Sequence, residues 1–359
     1  MVSFFQSIKK SKEQFSQTHF TKSPEFSNIQ KLMPSLFGYD YVASGTAGND
    51  VMIASINENS KLSGLDGNDV LIGGTQDDLL IGGAGADNII GGQGHDIILG
   101  DDPGLPFKTG ADYILAGDGN DEVDGGESND LLYGDGGDDN LYGGNGNDKA
   151  YGGVGLDSIY GDGGDDYIYG EDGNDYVGGG SGNDWAYGGD GDDWLNGWSG
   201  DDVLDGGEGN DVFIDDNGKD DMYGRDGDDK FLFDEDSYED LYAGGDGDDI
   251  VDFGGYDLSN YTFVKNSFGV YCTNKITDVT DWLNGIEHVN SKATGSLTMD
   301  EVLKRYGSIA ADDQANTLLS QAMSGFGATS SSGTDAISLQ DQSQSSYFAV
   351  DSGLKHNTI

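Results

Sequence analysis

Residues 152–169 read GGVGLDSIYGDGGDDYIY, two nine-residue units set end to end. Numbered from the first glycine, each unit holds Gly at positions 1 and 4, Asp at position 6 and an apolar residue at position 8. A fixed period of this kind decides the architecture before any residue-level argument. It holds in both directions. Asp recurs every nine residues as Asp112, Asp121, Asp130, Asp139, Asp148, Asp157, Asp166, Asp175, Asp184, Asp193, Asp202, Asp211, Asp220 and Asp229. Towards the N-terminus the pattern continues through Asp96, Asp87, Asp78, Asp69 and Asp50, and towards the C-terminus it reaches Asp240 and Asp249. Three places break it: a ten-residue unit (54–63) without a usable Asp, a small insertion near Phe233–Asp234, and a longer insertion, GDDPGLPFKTG (100–110), carrying Pro103 and Pro106. Proline removes a ladder donor, so the insertion is expected to bulge from the repeat as a loop.

Six residues of each unit are expected to turn and three to form a short strand. Glycine at positions 1, 2 and 4 lets the backbone reach positive φ, where a side chain would clash. A strand alternates sides, so only position 8 points inward. Two units then make one coil, and units eighteen residues apart stack into one parallel sheet. The resulting core is thin, since burial of one side chain per unit falls short of the entropy lost in ordering nine residues. The stacked Asp residues add repulsion. Something must bind the turns.

Composition points to a cation. The chain has 359 residues, 67 acidic against 17 basic, for a net charge of −50. Residues 1–39 hold five Lys and two Glu, net +3, so the remainder carries −50 − 3 = −53. Such a body does not bind nucleic acid or anionic lipid by charge. Calcium takes six to eight oxygen ligands in flexible geometry, which suits stacked glycine carbonyls and Asp carboxylates, whereas magnesium demands a tighter octahedron. Zinc prefers His and Cys, and the chain offers 4 unclustered His and one Cys. That lone Cys272 excludes an intramolecular disulfide.

Glycines, Asp and apolar residue at this spacing resemble the RTX (hemolysin-type) calcium-binding nonapeptide repeat, over about residues 45–252. The resemblance implies an all-β, right-handed parallel β-roll, or β-solenoid, with short helical or irregular caps. It places Ca2+ between successive turns on both edges, held by the 21 Asp residues named above. The segment Tyr256–Val289 resembles the one that closes such repeats, its Leu-x-x-Ile-Glu motif being Leu283, Ile286 and Glu287. Family members leave Gram-negative bacteria by type I secretion with an uncleaved C-terminal signal. An extracellular protein that meets the type I secretion machinery is therefore expected. The N-terminus, MVSFFQSIKKSKEQF, lacks the pattern of a cleaved signal, and no run of about 18 apolar residues exists to span a membrane as a helix.

The expected organisation is an N-terminal cap (1–43), the β-roll (44–252), a closing segment (253–295), and short helices with a flexible tail (296–359) as the candidate secretion signal. Phe4, Phe5, Ile8 and Phe15, then Leu32, Leu36 and Phe37, suggest two short amphipathic helices in the cap. Trp282, Leu283, Ile286 and Val289 form a compact apolar set in the closing segment. Thr298 and Glu301 spell a capping box ahead of a helix ending near Gly307, and a second helix is expected over 311–323. No H-E-x-x-H, G-x-S-x-G, EF-hand or P-loop pattern occurs, so no enzymatic activity is expected. His95 falls at a variable fifth position, and Glu287–His288 have no partner that would complete a catalytic set.

One feature exceeds the repeat pattern. Tyr133, Tyr151, Tyr169 and Tyr187 occupy position 9 of units eighteen apart, with Tyr167 and Trp185 beside them, and Tyr142, Tyr160, Tyr176 and Trp194 on the opposite face. They are expected to form aromatic ladders that brace neighbouring strands. The functional alternative is a surface for polysaccharide or a cell surface. The expected function is a secreted calcium-binding protein that folds on binding calcium and has a structural, adhesive or surface role. The alternative is a polysaccharide-binding or polysaccharide-modifying accessory module.

Overall fold

The computed structural model describes residue 39 and residues 41–102, 109–266 and 269–309. The nine-residue period becomes an eighteen-residue coil. Ser158–Gly163 pairs in parallel with Asn140–Asn145 on one side and Tyr176–Ser181 on the other, setting Ile159 against Leu141 and Val177. Tyr167–Gly173 does the same in the second sheet, setting Ile168 against Ala150 and Ala186. Strands alternate between two sheets along the repeats, and the sheets hold 14 and 15 strands among the described residues. The chain is an all-β solenoid of mainly parallel strands, as expected.

Position-8 side chains fill the space between the sheets. Leu132, Leu141, Ile159, Val177 and Leu195 are all 0% exposed. Strands run longer than three residues: Ser158–Gly163 covers positions 7–9 and the first three positions of the next unit. The glycines divide the labour differently from the expectation. Positions 2 and 4 are left-handed, as at Gly153 (φ 111°) and Gly155 (φ 157°), whereas position-1 glycines such as Gly152 and Gly161 are not. Position 2 also tolerates residues with a Cβ at positive φ, among them Leu65 (81°), Asp162 (69°) and Arg225 (84°).

The roll starts earlier than the first recognisable unit. Tyr41–Ser44 form a strand paired with Ser60–Ser63, so the expected cap boundary falls inside a strand. At the other end, an antiparallel hairpin (Tyr261–Lys265 with Val270–Asn274) is inserted between coils. Thr280–Asn284 and His288–Ser291 then rejoin the two sheets beside Leu241–Asp246 and Ile250–Asp252. Leu283, Ile286 and Val289 are buried, but Trp282 faces the other way and stacks on Tyr271 at 5.8 Å. The helix Met299–Tyr306 begins with the Thr298–Glu301 capping box and buries Met299 and Val302. The helices expected in 1–38 and 311–323, and the tail, lie outside the described residues.

Candidate metal centre

Stacking at eighteen residues brings the position-6 Asp residues into two columns, one per edge of the roll. In one, Oδ1 of each Asp accepts the backbone N–H of the Asp one coil earlier: Asp130 from Asp112, Asp148 from Asp130, Asp166 from Asp148 and Asp184 from Asp166, at 2.7–2.8 Å. The other runs through Asp121, Asp139, Asp157, Asp175, Asp193 and Asp211 in the same way. All 21 predicted Asp residues lie in these columns. The insertion does not interrupt them. Asp87 donates to Asp112 at 2.8 Å and Asp96 to Asp121 at 2.7 Å across 25 residues, 25 − 18 = 7 more than a regular coil, and the bulge expected around Pro103 and Pro106 lies outside the described residues.

The second carboxylate oxygen carries the chemistry. Oδ2 is buried without a hydrogen-bond partner in 18 of the 21, all except Asp50, Asp220 and Asp240. A buried charge left this way is costly, and native interiors pair such groups or coordinate them to a metal. Space for an ion is kept by position 1. A Cβ built on Gly161 would lie 2.3 Å from Asp166 Oδ2 and 2.5 Å from the Gly179 carbonyl oxygen. Gly152 repeats this with Asp157 Oδ2 at 2.5 Å and the Gly170 carbonyl at 2.7 Å. Glycine is required there for close approach rather than for its φ. Each turn thus aims an anionic oxygen and a neighbouring coil's carbonyl at one place, a hard, all-oxygen donor set that fits calcium.

Electrostatics say the same. Burial pushes Asp130 up to about 9 and Asp112, Asp139, Asp166, Asp193 and Asp202 up to about 8. The backbone hydrogen bond from the adjacent coil pulls each one down, while neighbouring Asp charges push it further up. Protons and calcium compete for the same oxygens.

Four features of the columns escaped the sequence reading. Ser60 occupies position 6 of the degenerate unit and donates its N–H to Asp78 Oδ1 at 2.6 Å. Asp281 and Glu287 prolong the columns beyond the inserted hairpin, accepting from Asp240 at 3.4 Å and Asp249 at 3.1 Å. The runs D-W-L-N and E-H-V-N reproduce positions 6 to 9, which is the signal that would have found them. Position 5 forms a second, exposed ladder in the opposite sense. Asn120 Oδ1 accepts from the Asp138 N–H at 3.1 Å, and Asp138 Oδ1 from the Leu156 N–H at 3.1 Å. The exposed His95 belongs to that row, with Nδ1 accepting from Asn120 N–H at 2.8 Å, and His288 pairs with Asp248 at 2.8 Å.

Fold and site together define a calcium-binding β-roll. The family model of the RTX calcium-binding nonapeptide repeat matches residues 63–98, 108–141, 142–177, 178–213 and 199–231, so this stretch consists of RTX repeats and Ca2+ is their ion. A comparison with curated proteins finds no match. Among the described residues no helix is long and apolar enough to cross a membrane.

Proposed function

We propose that this chain is an exported protein whose repeats fold when calcium fills the Asp columns, serving a structural or surface role rather than catalysing a reaction. The unpartnered buried Oδ2 atoms carry this reading. Without cations they repel one another in a low-dielectric interior, and with cations they bind the coils together. Cytosolic free calcium lies far below the roughly 10⁻⁴–10⁻³ M at which extracellular calcium modules fill. The chain would thus stay extended while it threads a type I channel and zip into a roll outside.

The row from Tyr133 to Tyr187 favours bracing of strands over polysaccharide binding. Tyr133, Tyr151, Tyr169 and Tyr187 stack face to face at 4.8 Å with interplanar angles of 8°, 3° and 2°. Tyr151 and Tyr169 are covered on both faces and offer a sugar only their edges, so the row supports the strands beneath it. Export is tested by truncation. Removing residues 311–359, beyond the packed helix, should leave the protein inside the cell, whereas removing 1–38 should leave export intact. The opposite pattern would rule out a C-terminal signal.

A further inference from the structure

Position 1 of one edge reads Gly143, Gly161, Gly179, Gly197, Asp215, Phe233 and Phe253 from coil to coil. A side chain at this position projects into the ion cradle, as the Cβ built on Gly197 shows by meeting Asp202 Oδ2 at 2.3 Å. Phe233 and Phe253 fill the space with stacked rings 4.1 Å apart and end the glycine series. Asp215, at the junction, fills it with a carboxylate.

That carboxylate is 3% exposed. Its Oδ2 is held by the Tyr242 hydroxyl at 2.6 Å and the Asp234 N–H at 2.9 Å, while its Oδ1 is buried without a hydrogen-bond partner. Carboxylate oxygens of Asp215, Asp220 and Asp240 lie within 4.8 Å of one another, and all three residues are buried. The columns fix the other two, since Asp220 Oδ1 accepts from Asp202 N–H and Asp240 Oδ1 from Asp220 N–H, each at 2.9 Å. Burial raises Asp215 well above the usual carboxylate range, and Asp240 and Asp220 reinforce the shift.

We propose that Asp215, Asp220 and Asp240 form a three-carboxylate calcium site, unlike the repeat sites because Asp215 supplies a charged ligand where they have only glycine. The proposal rests on reading the Asp columns as calcium ligands. An added anionic ligand on a buried, prearranged frame tightens a calcium site, because affinity follows ligand charge and rigidity. This site should fill first and anchor the C-terminal end of the roll, from which coils add by nearest-neighbour coupling.

The test is a calcium-binding isotherm of the full chain in a competing chelator, for the wild type, Asp215→Asn and Asp215→Gly. Asn keeps the shape without the charge, and Gly restores the repeat pattern and so preserves folding. Wild type should bind one ion at a free calcium concentration at least about tenfold below that filling the remaining sites. Both variants should lose that early step, keep the rest of the isotherm and reach the same circular dichroism at saturating calcium. Coinciding isotherms for the three proteins would overturn the three-carboxylate site while leaving the repeats as calcium sites. If the wild type binds no calcium at all, the reading of the columns fails and the proposal with it.

Discussion

The backbone N–H of Asp148 donates to Oδ1 of Asp166 at 2.7 Å, eighteen residues ahead and one coil further along the roll. This bond locks the carboxylate so that Oδ2 turns inward, buried and without a partner. Structure and ion binding thus share one side chain. Asp166→Asn keeps an oxygen for the Asp148 N–H but removes the charge. Because coupling runs between neighbouring coils, it should lose more bound calcium than Asp50→Asn near the start of the roll, measured by titration calorimetry. Equal losses would contradict the columns as ligand sets.

Position 1 and position 2 should respond in opposite directions. Gly161→Ala drives a Cβ to 2.3 Å from Asp166 Oδ2 and should destabilise the calcium-loaded protein by about 1–3 kcal/mol. Leu65→Gly relieves an L-residue held at φ 81° and should stabilise it by about 1 kcal/mol. Urea unfolding in saturating calcium reads both, and a stabilising Gly161→Ala would show that the cradle is not occupied.

The tyrosine row should act through its strands. Tyr151 stacks on both Tyr133 and Tyr169, and loss of two aromatic pairs at about 0.5–1.5 kcal/mol each gives Tyr151→Ala a cost of about 1–3 kcal/mol. An unchanged unfolding midpoint would remove the ladder from the account of stability.

Acid should partly replace calcium. Burial raises column carboxylates from the usual range near 4 to about 6–9 in the metal-free fold, for example Asp148 and Asp157 to about 6 and Asp130 to about 9. The folded state therefore binds more protons than the unfolded one, so metal-free stability rises as pH falls through this window and is lost as pH rises through it. Calcium-stripped protein should gain β signal between pH 8 and pH 5, while the calcium midpoint shifts to higher concentration. Greater metal-free β content at pH 8 than at pH 5 would reverse the sign and refute the shifts.

Much of this was legible in the sequence because one interaction repeats. The nine-residue spacing of Asp148, Asp157 and Asp166 specifies the strand, its partner eighteen residues away and the buried position 8. Legibility ends where the chain leaves its period. Asp281 and Glu287 return to the columns only after a hairpin, at spacings of 41 and 38 residues, so the short runs D-W-L-N and E-H-V-N mark them but the nine-residue period does not. Asp215 was hidden for another reason: a carboxylate at position 1 reads as a defect until the direction of its Cβ is known. The role of the position-1 glycines was likewise spatial, set by Asp Oδ2 and a neighbouring carbonyl rather than by backbone torsion. Trp282 was placed by hydrophobicity alone, and the pleat turned it outward onto Tyr271.

Far-UV circular dichroism of the full chain, recorded in EGTA at pH 8 and again with millimolar calcium, tests the central claim most directly. The unpaired carboxylates of the columns predict an unfolded spectrum in chelator and a cooperative gain of β structure as calcium is added. A β spectrum of equal strength in EGTA would show that the roll holds together without the ion and would contradict the account.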